Sequence, residues 1–251
     1  MPEAFFFGPG DQLFANYHLP AGGSGQVLTV ICPPLFLDYT RTQLALRRLA
    51  VALAERGQHV LRFDYRGTGD SFGDFGDVTV SDWVGDIALA VREGIELSGS
   101  RKVRLLGVRA GALLASRFSA SSSDVQRLVL WDPVPNGTDY LQELRRVHST
   151  LLGRHLHLSR SESREAKREY AGYPISERML EEFRLLDTTA YLSVAKSKLH
   201  VIKTSSPNGF SIAGVSQDSL NVSCEWDADL EELVMPQQAL VERLIACLTL
   251  S

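Results

Sequence analysis

Val103-Arg104-Leu105-Leu106-Gly107-Val108-Arg109-Ala110-Gly111-Ala112-Leu113-Leu114-Ala115 is the stretch on which the fold turns. Its first half is dominated by Val and Leu, as a strand buried on both faces requires. Its second half is small and apolar at helical spacing. Gly107 and Gly111 flank Arg109 between the two. Glycine allows a turn too tight for a side chain and lets a strand and a helix approach closely. The central side chain is thereby raised over the end of the strand, beside the positive end of the helix. The pattern predicts a strand over 103–108, a sharp turn at Arg109 and a helix over 110–120.

The same alternation extends outward in both directions. VLTVIC (27–32), ending at Pro33-Pro34, and HVLRFD (59–64) read as buried strands. RTQLALRRLAVALAER (41–56), stopped by Gly57, and residues 80–98 read as helices. RLVLWD (127–132) is a further strand, and AFFFGPGDQLFANYHLP (4–20) gives two short strands around a turn. Strand and helix alternating in this way define an α/β fold, a mostly parallel sheet with helices on both faces in three layers. Residues 137–190 are polar, helical in tendency and strand-poor, as expected of a small inserted helical lid. KLHVIKT (198–204), LNVSCEW (220–226) and a helix from Gln237 to about Leu248 then resume the alternation. The expectation is a single domain over 1–251, a size that one core sustains.

Composition narrows the class. Hydrophobic residues make up 44% and charged residues 22%, ordinary for a soluble globular chain. A net charge of −4 gives no ground to expect nucleic acid or an anionic membrane as partner. No apolar run approaches the ~20 residues of a membrane helix, and the start MPEAFFFGPG lacks the basic-then-apolar pattern of a secretion signal. Cys32, Cys224 and Cys247 are odd in number and far apart, so they suggest neither a disulfide framework nor a metal-ligand pair. The expected home is the cytoplasm, with no metal and no cofactor.

Strand, G-x-S-x-G and helix make up the nucleophile elbow of the α/β-hydrolases. Here Arg109 takes the place of the serine. A guanidinium stays cationic and cannot attack a carbonyl, so the elbow is degenerate. Gly69-Asp70-Ser71-Phe72-Gly73 also fits the pattern, but it follows a different strand and precedes no small-residue helix, so Ser71 reads as a turn residue. An acid is expected after Thr204, where Ser205-Ser206-Pro207-Asn208 stand. A histidine is expected after the last strand, where residues 224–232 hold five acids and no histidine. Asp132, directly after the strand 127–132, is the one carboxylate placed to serve instead.

The segments CPPLFLDYTRTQLALRRLA, LRFDYRGTGDSFGDF, GVRAGALLA and LVLWDPVPNG resemble the serine aminopeptidase-like α/β-hydrolases. More narrowly, they are similar to the exosortase-associated hydrolases and to hydrolase-like proteins encoded beside polyketide and peptide assembly lines. The resemblance covers about residues 5–145. It implies a three-layer α/β-hydrolase fold and acyl or peptide substrates, and within that group an arginine at the elbow centre is familiar.

Two roles for Arg109 remain open. As an anion receptor it would grip a carboxylate, phosphate or enolate by paired hydrogen bonds. Leu35, Phe36, Val108 and Ala110 would complete that ligand-binding set, with backbone N–H groups near Leu35 adding positive field. Alternatively it pairs internally with Asp132 or Asp38, since a buried arginine without a partner is costly. The candidate catalytic residues are Arg109, Asp132 and His148. His148, in RRVHSTLL, either reaches over the site as acid or base or simply packs in the lid. Cys32 reads as a buried structural thiol. Residues 144–170 carry seven Lys/Arg against three Asp/Glu, either a solvated face or a docking surface for an acidic carrier protein. Three functions follow. One is a pseudoenzyme that binds an acyl, carboxylate or carrier-bound intermediate in a biosynthetic pathway. The others are an enzyme of cyclisation, elimination or isomerisation using Arg109 to stabilise negative charge, and a thioesterase or esterase with a displaced triad.

Overall fold

The computed structural model describes residues 2–23, 25–155, 169–204, 210–222, 224, 226, 234 and 237–249, with only the backbone over 151–155. Eight strands form one sheet: β1 (Glu3–Phe7), β2 (Leu13–His18), β3 (Val27–Cys32), β4 (His59–Phe63), β5 (Lys102–Val108), β6 (Val125–Trp131), β9 (Leu199–Lys203) and β10 (Ser216–Ser219). β7 (Glu169–Tyr170) and β8 (Tyr173–Pro174) pair separately as a short antiparallel ribbon. The order across the large sheet is β1-β2-β4-β3-β5-β6-β9-β10. β2 runs antiparallel to both its neighbours, and every pairing from β4 to β10 is parallel.

The alternation of side chains along each strand supplies both faces with core residues. On one face Ile31, Leu106, Val129 and Ile202 meet α1 (Phe36–Glu55) and the final helix (Gln238–Thr249). On the other, Leu28, Leu105, Leu128 and Val201 meet α2 (Val80–Ser98) and α3 (Ala110–Ser121). This is the three-layer arrangement that the alternation predicts. α2 shows how local signals set helix ends. Thr79 and Asp82 form a reciprocal capping box, and Gly99 closes the helix at φ 65°. Between β6 and β9 lie α4 (Gly137–His155), β7, β8, α5 (Glu177–Arg184) and α6 (Thr189–Leu192), and α7 is the final helix.

Two elements differ from the sequence expectation. α1 starts at Phe36 rather than 41, directly after Pro33-Pro34 and the Leu35 cap. Its first turns therefore carry Asp38 and Arg41, both buried. The last strand is Ser216–Ser219, not the apolar 220–226. Val222, Cys224 and Trp226 instead insert into the core beside α1 and α7 without joining the ladder. Burial, not strand pairing, accounts for their hydrophobicity. The expected acid position at 205–208 and the acidic run 227–232 lie outside the described residues, as do residues 156–168 of the basic stretch 144–170.

Candidate functional site: the arginine elbow

Close packing explains both elbow glycines. A Cβ on Gly111 would lie 2.1 Å from the Pro33 carbonyl oxygen, and one on Gly107 would lie 2.7 Å from Ala112 Cα. Both obstacles are backbone, so neither can step aside. The turn residue between them, Arg109, adopts φ 51° and ψ −123° at the N-cap of α3. A bulky non-glycine residue at positive φ marks a backbone held in place by its surroundings. Here the Arg109 N–H donates to the Trp131 carbonyl at 3.1 Å and its own carbonyl accepts from Ala112 N–H at 3.0 Å.

The side chain does not reach solvent; Arg109 is 1% exposed. Its Nε donates to Asp38 Oδ2 at 3.3 Å, and its Nη2 donates to Glu143 Oε1. Its Cζ stands 5.0 Å from the centroid of the Trp226 ring, within cation–π range. Nη1 is buried and, among the described residues, makes no hydrogen bond. Burial works against the charge, yet Asp38 and then Glu143 outweigh it, so the guanidinium pKa stands above its ordinary value. Burial pushes the Asp38 carboxyl upward, against the pull of Arg109, of Arg41 and of the Tyr140 hydroxyl. Tyr140 bridges this corner, donating to Leu35 O at 3.1 Å and lying 3.4 Å from Asp38 Oδ2. Burial, and next the nearby Asp38, hold its phenol well above the ordinary range.

Asp132 does not join Arg109. Its carboxylate accepts from Thr204 N at 2.7 Å, from Thr204 Oγ1 at 2.6 Å and from Trp226 Nε1 at 2.9 Å. It ties the ends of β6 and β9 to Trp226, whose ring also lies against the guanidinium. The internal pair expected for Arg109 thus forms with Asp38, and the second carboxylate, Glu143, comes from α4. His148 is also on α4, where its Nδ1 accepts from the Ala171 N–H at 3.2 Å; the bond fastens the β7–β8 turn to the helix. Leu35 and Phe36 stand at the head of α1, beside Asp38. Phe36, at φ 55°, packs its ring against Phe75, Tyr140, Tyr173 and Phe183, filling the space over the elbow with aromatic side chains. Val108 faces α1 and α7, Ala110 faces the opposite layer, and both are buried. Cys32 is buried with its thiol pushed upward by burial, which keeps it protonated.

Hydrolysis needs a nucleophile within reach of a base. Ser71 is committed elsewhere: its Oγ donates to Asp64 O at 2.6 Å and accepts from Phe14 N at 2.9 Å. No hydrogen bond joins a described serine or cysteine to His18, His59 or His200. His59 is bonded to Tyr17 and Gly25, His200 to Asp218, and His18 has an orphaned Nε2. The residues that sequence reading missed are Glu143, Tyr140 and Trp226. None sits in a motif, and each is brought to Arg109 by tertiary packing alone.

The fold and the glycine-flanked elbow define an α/β-hydrolase. Residues 40–194, more than half of the chain, match the family described as serine aminopeptidase, S33, and the chain belongs to that family. Among solved structures, it is similar to Est1E of Butyrivibrio proteoclasticus (TM-score 0.63, 14% identity, covering 98% of this chain and 99% of that one). It is also similar to an esterase of Pyrococcus furiosus (TM-score 0.61, 16% identity, 88% and 82%). A thermostable carboxyl esterase of Bacillus coagulans is a third neighbour (TM-score 0.55, 14% identity, 87% and 89%). At these identities the likeness concerns the fold. No curated protein matches the chain. Among the described residues, no helix is long and apolar enough to cross a membrane.

Proposed function

We propose that this chain is a non-hydrolytic member of its family that binds a carboxylate-bearing or acyl ligand at the elbow, with Arg109 as the receptor. The observation that carries the reading is the state of the guanidinium. It is buried and charged, one of its nitrogens, Nη1, is unbonded, and one of its two carboxylate partners belongs to α4. Asp38 holds Arg109 from the scaffold side. Glu143, with a side chain 23% exposed, holds it from the covering side and occupies the place a ligand carboxylate would take. Charge-assisted, paired hydrogen bonds to a planar carboxylate are what a guanidinium provides best. An acyl or carrier-bound intermediate of a biosynthetic pathway has the required chemistry. An acidic carrier protein meeting the basic stretch 144–170 would deliver it.

Isothermal titration with a series of fatty and keto carboxylates tests the proposal. Saturable binding is expected in the wild type, its loss in Arg109→Met, and tighter binding in Glu143→Gln, where the internal competitor is gone. Failure of both the wild type and Glu143→Gln to bind any member of the series contradicts the proposal.

A further inference from the structure

Away from the elbow, at the β9–β10 edge of the sheet, three side chains converge that no step above uses. His200 comes from β9, Asp218 from β10 and Cys247 from α7. One ligating atom from each lies within 4.8 Å of the other two. His200 Nε2 is 2.6 Å from Asp218 Oδ2, and Cys247 Sγ is 4.0 Å from the same oxygen. His200 and Cys247 are buried, whereas the Asp218 side chain is 25% exposed and leaves a path from solvent. The three cysteines are too dispersed in sequence to suggest a metal site; the fold places one of them beside an imidazole and a carboxylate.

We infer that His200, Asp218 and Cys247 form a binding site for a borderline-soft divalent cation of the zinc type. Imidazole nitrogen, carboxylate oxygen and thiolate sulfur are the three donors zinc takes, at about 2.0–2.3 Å each. Two donors on a tetrahedral zinc are therefore about 3.4–3.6 Å apart. The sulfur–oxygen separation is a few tenths of an ångström beyond that range. The nitrogen–oxygen separation opens when the carboxylate turns. The site is already arranged for positive charge, since Arg243 Nε donates to Asp218 Oδ2 at 2.6 Å. The Arg243 side chain is 38% exposed, so it can turn to solvent when the metal takes its place. The thiol binds as thiolate and its proton passes to solvent; the proton that His200 Nε2 shares with Asp218 is likewise released to solvent, the neutral ring keeping its remaining proton on Nδ1. Water fills the fourth position. Such an ion ties together β9, the short polar strand β10 and α7.

Titration of the untagged, chelator-treated full chain with Co(II), followed by Zn(II), tests this inference. One equivalent of Co(II) is expected to produce a thiolate-to-cobalt charge-transfer band, which Zn(II) then abolishes. Cys247→Ser is expected to remove the band. Loss of an outer hydrogen-bond partner alone costs about 10–100-fold in metal affinity, so His200→Gln should weaken binding at least tenfold. Arg243→Gln should strengthen it by removing the competing cation. Absence of the band in the wild type overturns the inference. So does a band that persists in Cys247→Ser, or an affinity unchanged in His200→Gln. Either variant suffices if the other does not fold.

Discussion

Removing the elbow guanidinium by Arg109→Ala strands two carboxylates. Asp38 is buried and, among the described residues, keeps Tyr140 at 3.4 Å and the field of Arg41. Glu143 is partly exposed and can turn to water. Deleting one partner of a buried pair costs about 3–5 kcal/mol, most of it the penalty of the uncompensated charge left behind. The exposure of Glu143 and the capacity of Asp38 to take up a proton place the cost toward the lower end, about 3–4 kcal/mol. At roughly 3 °C per kcal/mol for a chain of this size, the melting temperature falls by about 9–12 °C. The loss depends on pH, with a defined sign. Asp38 already has a raised pKa in the folded state. The folded protein therefore binds more protons here than the unfolded chain, and stability falls as pH rises through that window. Taking away Arg109 removes the strongest opposing pull and raises the carboxyl further. The penalty should then be larger at pH 8 than at pH 5, because the lower pH favours the protonated Asp38, which needs no cation. Urea unfolding followed by circular dichroism at both values measures it. A loss under about 1 kcal/mol, or one equal at the two pH values, refutes the claim that Arg109 neutralises buried Asp38.

Gly111→Ala places a methyl against the Pro33 carbonyl; a destabilisation above about 4 kcal/mol is expected, and a stable, soluble variant would contradict the packing described. Asp132→Ala leaves Thr204 and Trp226 donors without an acceptor. At about 1–3 kcal/mol per buried orphan, urea unfolding should show a loss of at least about 2 kcal/mol, and a neutral result would mean that water replaces the carboxylate. Arg109→Ser should not hydrolyse activated esters, because among the described residues no histidine is bonded to the elbow; turnover above the buffer rate, read by product absorbance, would reveal a working base.

The elbow is legible in the sequence because its cause is steric and local. Two glycines, with Ala112 and Ala115 facing Gly107, are needed where this strand end, turn and helix touch. α2 is legible for a similar reason, since its cap residues lie next to the helix they bound. β10 is not, because Ser216–Ser219 is a short edge strand with little to bury, while the apolar 220–226 advertises burial and not pairing. The start of α1 is hidden by Asp38 and Arg41, charged residues that a helical pattern assigns to solvent but that the fold buries. Arg109 announces in sequence that it needs an acid, and Asp38 and Asp132 are both near enough to serve. What separates them is direction: Asp132, at φ 43°, turns toward Thr204 and Trp226. Glu143 carries no signal at all, because an acid on an amphipathic helix gains its meaning only when that helix lies over the elbow.

The most direct test of the central claim is to incubate the purified chain with a panel of acyl thioesters and activated esters. Mass spectrometry then follows small-molecule products and intact protein mass together. Neither turnover nor an acyl adduct is expected, with the protein mass unchanged throughout. Steady product release, or a stoichiometric acyl adduct on any side chain, would contradict it and show that a nucleophile other than residue 109 works in this fold.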